Sequence, residues 1–110
     1  MESLCELLFE ASNEDQLRIL QQIRDSPSSI SSLAKDLNLS SQETTRHARR
    51  QTEVGLAMRD PNGLFRAEYG KLFLKQLQGP TFTSKHREYF TAHTPPIPDA
   101  FIARIEELKA

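Results

Sequence analysis

The sequence predicts a mainly α-helical fold with one small β-hairpin, and three observations carry that prediction. Between Ser31 and Arg59, two short helical stretches are joined by a tight polar turn; Asp60-Pro61-Asn62-Gly63 then separates two strand-like runs; and apolar residues recur at helical spacing both before and after this region. Two helices around a tight turn, followed by a hairpin, is the order of a winged helix-turn-helix, here followed by C-terminal helices.

Residues 2–11 place Leu4, Leu7, Leu8 and Ala11 at helical spacing, with Cys5 beside them, so this side of a first helix is expected in the core. Ser12-Asn13-Glu14-Asp15 is a restart signal, and the second helix offers Leu17, Ile19, Leu20 and Ile23 before Ser26-Pro27 stops it. Ile30, between serines, is expected to add a short third strand to the hairpin.

The next helix follows a Ser31 cap and turns Leu33, Ala34 and Leu37 to one side. Asn38-Leu39-Ser40 forms the turn. Ser40 and Glu43, three residues apart, can satisfy each other's backbone amides as a capping box, and Gly55 suits the left-handed position past the helix end. In between, Gln42, Thr45, Arg46 and Arg49 share a helical face by their i, i+3, i+4, i+7 spacing. All four donate hydrogen bonds; arginine can grip guanine and glutamine can grip adenine in a bidentate manner, which suits a helix laid in the major groove. Ser41 and Arg50 complete the expected DNA-binding set on this helix. The same spacing also fits an ordinary solvated polar face. His47 reads either as a phosphate contact or as a residue packed at the helix edge.

Leu56-Ala57-Met58-Arg59 and Leu64-Phe65-Arg66-Ala67 are the strand candidates, and Asn62-Gly63 favours a tight hairpin between them. Arg59 and Arg66 on such a wing would touch backbone phosphates, which position a protein without reading sequence. Residues 68–77 then form a helix carrying Tyr69, Leu72, Phe73 and Leu77, which Gly79-Pro80 ends. Residues 84–93 are expected to bury Tyr89 and Phe90 in another helix. Thr94-Pro95-Pro96-Ile97-Pro98 is a stiff linker, and Phe101, Ile102, Ile105 and Leu108 mark a final amphipathic helix. Neither of the last two helices has a visible core of its own. The resulting division is a DNA-binding domain over residues 1–78 and a helical connector or dimerisation extension over residues 79–110.

A chain of 110 residues with 26% charged side chains has room for one small globular domain and an appendage. Its net charge of −1 does not announce a nucleic-acid partner, but the distribution does. Residues 1–43 hold eight acidic and three basic side chains, whereas residues 44–75 hold seven basic and three acidic. DNA is therefore expected to be attracted to one face and repelled by another. No apolar run approaches the ~20 residues of a membrane helix, and the acidic N-terminus lacks signal-peptide character, so a cytoplasmic location is expected. The single Cys5 and the scattered His47, His86 and His93 provide no metal-ligand array. No catalytic spacing or phosphate loop is present, which argues against an enzyme, and no cofactor is expected.

Four stretches carry a likeness to a known group: LCELLFEASNEDQLRILQQIR at 4–24, ISSLAKDLNL at 30–39, SSQETTRHARRQTEVGL at 40–56 and EYGKL at 68–72. Together they resemble an archaeal ArsR-like winged helix-turn-helix regulator and, more narrowly, the N-terminal DNA-binding part of the methanogenesis-regulator family. The stretches at 86–90 and 97–101 are similar to the connector entering that family's sensor domain, so the extension would be the truncated start of such a domain. The resemblance implies a homodimeric transcription regulator on palindromic double-stranded DNA, with a mixed dimer with a longer relative as a further partner. In that family the positions of Thr44, Ala48 and Gln51 are usually apolar, and the link at 66–70 is about one residue longer. The first departure implies a weakened recognition-helix core, and the shortened link implies a tilted last helix or a smaller wing. A protein-interaction module on the same scaffold therefore stands as the alternative, resting on the acidic first half and the apolar C-terminal helix.

Overall fold

A computed structural model of the chain describes residues 1–92 and 96–105. The described residues are mainly helical, with one two-stranded antiparallel hairpin, and the chain divides into two compact units, Met1–Lys71 and Leu72–Ala110.

In the first unit, helix α1 (Glu2–Ser12) and helix α2 (Glu14–Gln22) are separated only by Asn13. Its side-chain oxygen accepts from the Gln16 amide at 3.1 Å and so caps α2. α2 buries Ile19 and Leu20, and Ile23 just beyond it is also fully enclosed. Helix α3 (Ile30–Leu37) is capped by Ser29, which accepts from the Ser32 amide at 3.1 Å. The cap is thus Ser29 rather than Ser31, and Ile30 opens a helix rather than a strand. The third strand shrinks to one residue: Ser28 exchanges both backbone hydrogen bonds with Leu64 at 2.8 Å.

α3 stops at Asn38, whose φ of 57° and ψ of 46° put it in the left-handed region that asparagine tolerates better than most residues. Helix α4 (Ser41–Glu53) starts three residues later under the expected capping box. Ser40 Oγ accepts from the Glu43 amide at 3.1 Å, and Glu43 Oε1 accepts from the Ser40 amide at 3.2 Å. These bonds to Ser40 hold the Glu43 carboxyl below its usual pKa. α4 packs on α2 and α3, and after it Gly55, at φ 86°, turns the chain into the hairpin.

Strand β1 (Ala57–Asp60) pairs with strand β2 (Gly63–Arg66) in the register Ala57 opposite Arg66 through Asp60 opposite Gly63. The loop is Pro61-Asn62, and Asp60 Oδ1 accepts from the amides of Asn62 at 2.7 Å and Gly63 at 3.1 Å. Asn62 has no positive φ, so the mirror-image turn that Asn-Gly favours is not used. Asp, Pro and Gly at the first, second and fourth positions instead follow the preferences of a type I turn. A Cβ on Gly63 would lie 2.3 Å from Ser28 O, which makes the glycine a condition of the single-residue third strand. The core gathers Ile19, Leu20, Ile23, Leu33, Ala34, Leu37, Ala48, Leu56, Ala57 and Leu64.

α1 overturns an expectation. Leu4, Leu8 and Phe9 are about half exposed, Cys5 is exposed, and the residue α1 buries is Glu10, at 4%. Helical spacing of apolar residues reveals that a helix has a greasy face; it does not say that the covering surface lies in the same chain.

Helix α5 (Glu68–Gln76) follows β2 almost at once, and the short link is made possible by Gly70. A Cβ there would stand 2.2 Å from Leu56 O, the carbonyl that also accepts from the Ala67 amide at 3.1 Å. Lys71 ties the start of α5 to the chain after α2 through Asp25 at 2.9 Å, with Glu68 at 3.1 Å on its other side.

In the second unit, helix α6 (Gln78–Lys85) contains Gly79-Pro80 in its first turn, where proline's missing N–H costs nothing, so the pair begins a helix instead of ending one. Helix α7 (Arg87–Ala92) buries none of its residues, and Tyr89 is exposed against expectation. Helix α8 (Asp99–Ile105) packs on α6. These helices share an aromatic cluster that the sequence did not reveal: Phe90 lies 6.4 Å from Phe82 and 6.2 Å from Phe101 between ring centres, and His86 lies 4.7 Å from Phe82. The expected linker residues Thr94 and Pro95, and Leu108, lie outside the described residues.

Replacing Gly70 by alanine drives a Cβ into the Leu56 carbonyl and should destabilise by about 1–3 kcal/mol, the usual cost of forced overpacking. Thermal unfolding checks it: the midpoint should fall by several degrees, and an unchanged midpoint would contradict the close approach.

Candidate nucleic-acid interface

α4 lives in two environments. Its inner face buries Thr44, Ala48 and Gln51, at 0–1% exposed, and His47, at 6%. These positions are enclosed as the helical spacing requires, yet three of the four are polar. Thr44 donates to Ser40 O at 2.9 Å within its own helix, and Gln51 Nε2 donates to Gln16 O on α2. Hydrogen bonds thus replace part of what aliphatic packing would provide. Gln51 Oε1 and His47 Nδ1 remain without a partner, and an unsatisfied buried polar atom costs about 1–3 kcal/mol.

The outer face carries the residues expected to meet DNA. Ser41, Gln42, Thr45, Arg46 and Arg49 line one shallow hollow, with Arg46 and Arg49 exposed. Among the described residues neither arginine makes a hydrogen bond or ion pair, so both guanidiniums keep their donors. The stretch from Gln42 to Arg49 spans roughly 10 Å at 1.5 Å per residue, the rise of about three base pairs. On β1, Arg59 is exposed and equally unengaged.

Two predicted contacts are placed otherwise. Arg50 points to α1: its Nε stands 3.5 Å from Glu10 Oε1, and its guanidinium lies 4.7 Å over the Phe9 ring. Arg66 turns inward from the hairpin, where Nε donates to Leu20 O at 3.1 Å and Nη2 donates to Leu20 O and Gln21 O at 2.8 and 2.9 Å. It thereby caps the last carbonyls of α2, as a cation near a helix C-terminus does well. Arg18 serves α3 similarly, donating to Leu37 O at 3.0 Å. Both placements have one cause: a carboxylate or carbonyl within the chain attracts a guanidinium that reaches it. Glu10 carries no sequence signal of its role, because its partner lies forty positions away. It accepts from Gln16 Nε2 at 2.5 Å while facing Arg50, so α1, α2 and α4 meet in one polar chain.

Among the described residues no three His, Cys, Asp or Glu side chains converge in a metal-binding arrangement, and no helix is long and apolar enough to cross a membrane. Compared with known protein families, with curated proteins and with solved structures, the chain matches none.

His47 gives the inner face a pH dependence. Burial is the main influence lowering its pKa from 6.5; Arg46 and Arg50 add to this, and Asp15 and Glu43 oppose it. The folded state therefore prefers the neutral imidazole more than the unfolded chain does. This contribution to stability is complete above about pH 6.5 and is lost as the pH falls toward the lower folded-state value. Denaturant unfolding of His47→Leu should lose less stability between about pH 7 and pH 5 than the parent does. Parallel losses would show that another group is responsible.

Proposed function

We propose that this chain is a DNA-binding transcription regulator built as a winged helix-turn-helix, with α4 as the recognition helix. The observation that carries the proposal is the division of α4: a buried polar face locks it to α2 and α3, while Gln42, Thr45, Arg46 and Arg49 line one exposed hollow with both arginines unengaged. Gln42, Arg46 and Arg49 are suited to base edges in the major groove, and Ser41 and Thr45 to adjoining phosphates. Arg59 on the hairpin would add a phosphate contact beside them. Arg50 and Arg66 support the helices instead.

A homodimer would present two such helices to half-sites about 34 Å apart. The second unit offers a surface for pairing, since Tyr89 and Ile102 are more than half exposed there. A protein-interaction role is the second reading, and the specific observation in its favour is the uncovered apolar face of α1.

Substitution of Arg46 or Arg49 by alanine should weaken binding to duplex DNA and relax its sequence preference, and Arg59→Ala should weaken binding to all sequences alike and reduce the salt slope by about one, with far-ultraviolet circular dichroism unchanged in each. Arg66→Ala should behave oppositely, lowering the unfolding midpoint because three helix-end hydrogen bonds are lost. Unaltered affinity in the Arg46 and Arg49 variants would remove the basis for the proposal.

A further inference from the structure

The structure assigns a second recognition surface, the outward face of α1, to a basic amphipathic helix of a partner protein. This inference is independent of the DNA-binding proposal. At 100° per residue, with Glu10 turned inward, Met1, Leu4, Cys5 and Leu8 lie on the outward arc of α1, and Phe9, Glu2 and Glu6 lie on the edge toward α4. Met1 is 94% exposed, and Leu4, Leu8 and Phe9 are 49–53% exposed. Such an apolar stripe fits the spaced apolar anchors of an amphipathic helix.

Charge selects the occupant. Residues 1–15 carry five carboxylates and no basic side chain. The hollow beside the stripe is lined by Glu6, Glu10 and Glu53 against one guanidinium, that of Arg50, which Glu10 already faces at 3.5 Å. The α1 of a second copy matches poorly. An antiparallel two-fold pairing of α1 helices would set the Glu2 and Glu6 edge of one copy against the same edge of the other, and a parallel pairing supplies no cation from the same helix. A partner helix with leucine-like anchors and flanking lysines or arginines covers the stripe and meets the acidic edge. Its association is steered by opposite charge, and the wrong partner is rejected by like charge. On α4 the hollow beside this face is lined by Arg50, Glu53 and Val54, in the last turns, and the other hollow by Ser41, Gln42, Thr45, Arg46 and Arg49, so the two share no side chain.

The test uses the full chain and a labelled amphipathic peptide with leucine at every third and fourth position and lysine elsewhere, followed by anisotropy. A peptide with glutamate in place of lysine serves as the control. The lysine peptide should bind and the glutamate peptide should not. Leu4→Gln together with Leu8→Gln should weaken binding about tenfold or more, because half-exposed side chains can change with little effect on the fold. Glu6→Lys should weaken it too and raise affinity for the glutamate peptide. Equal binding of the lysine peptide to the double variant, or no binding at low salt by protein whose circular dichroism is intact, would overturn the assignment. So would a dimer that falls apart on Leu8→Gln, since the face would then belong to a second copy.

Discussion

The polar seam between α4 and α2 is the constraint on which the rest of the first unit depends. α4 has few aliphatic side chains to bury: on its inner face Ala48 is small, and Thr44, His47 and Gln51 are polar. It is tied to its neighbours by the hydrogen bond of Gln51 to the Gln16 carbonyl and by the ion pair of Arg50 with Glu10, which in turn holds the Gln16 side chain. Directional bonds specify orientation more sharply than apolar mass, but each loses its value when a partner moves. The cationic outer face of α4 can be aimed because the inner face is held in this way.

A second theme is the use of arginine inside the first unit. Arg18 closes the end of α3 and Arg66 closes the end of α2, each satisfying carbonyls that a helix leaves orphaned. Arg50 is held between a carboxylate and an aromatic ring. The other arginines of this unit, Arg24, Arg46, Arg49 and Arg59, are exposed and make no hydrogen bond or ion pair with their side chains. Architecture and the proposed DNA-binding surface thus draw on the same residue type. Position relative to an acceptor decides which task each one performs.

What the sequence revealed, and what it hid, follows from the range of the interactions involved. The Ser40–Glu43 capping box, the Asn38 reversal and the shared face of Gln42, Thr45, Arg46 and Arg49 depend on residues within one or two turns, and all were legible. Arg66 was misplaced because its acceptors lie more than forty positions earlier, and Glu10 was overlooked because Arg50 is equally remote. α1 was expected to bury Leu4 and Leu8, since periodicity reports amphipathicity without naming the covering surface. The hairpin was located correctly by its turn residues, but its turn type was not: Asp60 and Pro61 outweighed the Asn-Gly preference. The aromatic cluster of Phe82, Phe90 and Phe101 was hidden because its members come from three short helices.

We propose the exposed face of α4, with Arg59 beside it, as a surface for duplex DNA on a chain whose net charge is −1. Anisotropy of a fluorescent random-sequence duplex, titrated with the protein over a series of salt concentrations, tests it most directly. Binding is expected at low salt and should weaken with a log–log slope of about −3 or steeper, corresponding to roughly three or more neutralised phosphates. Folded protein that leaves the duplex unbound at low salt would contradict it.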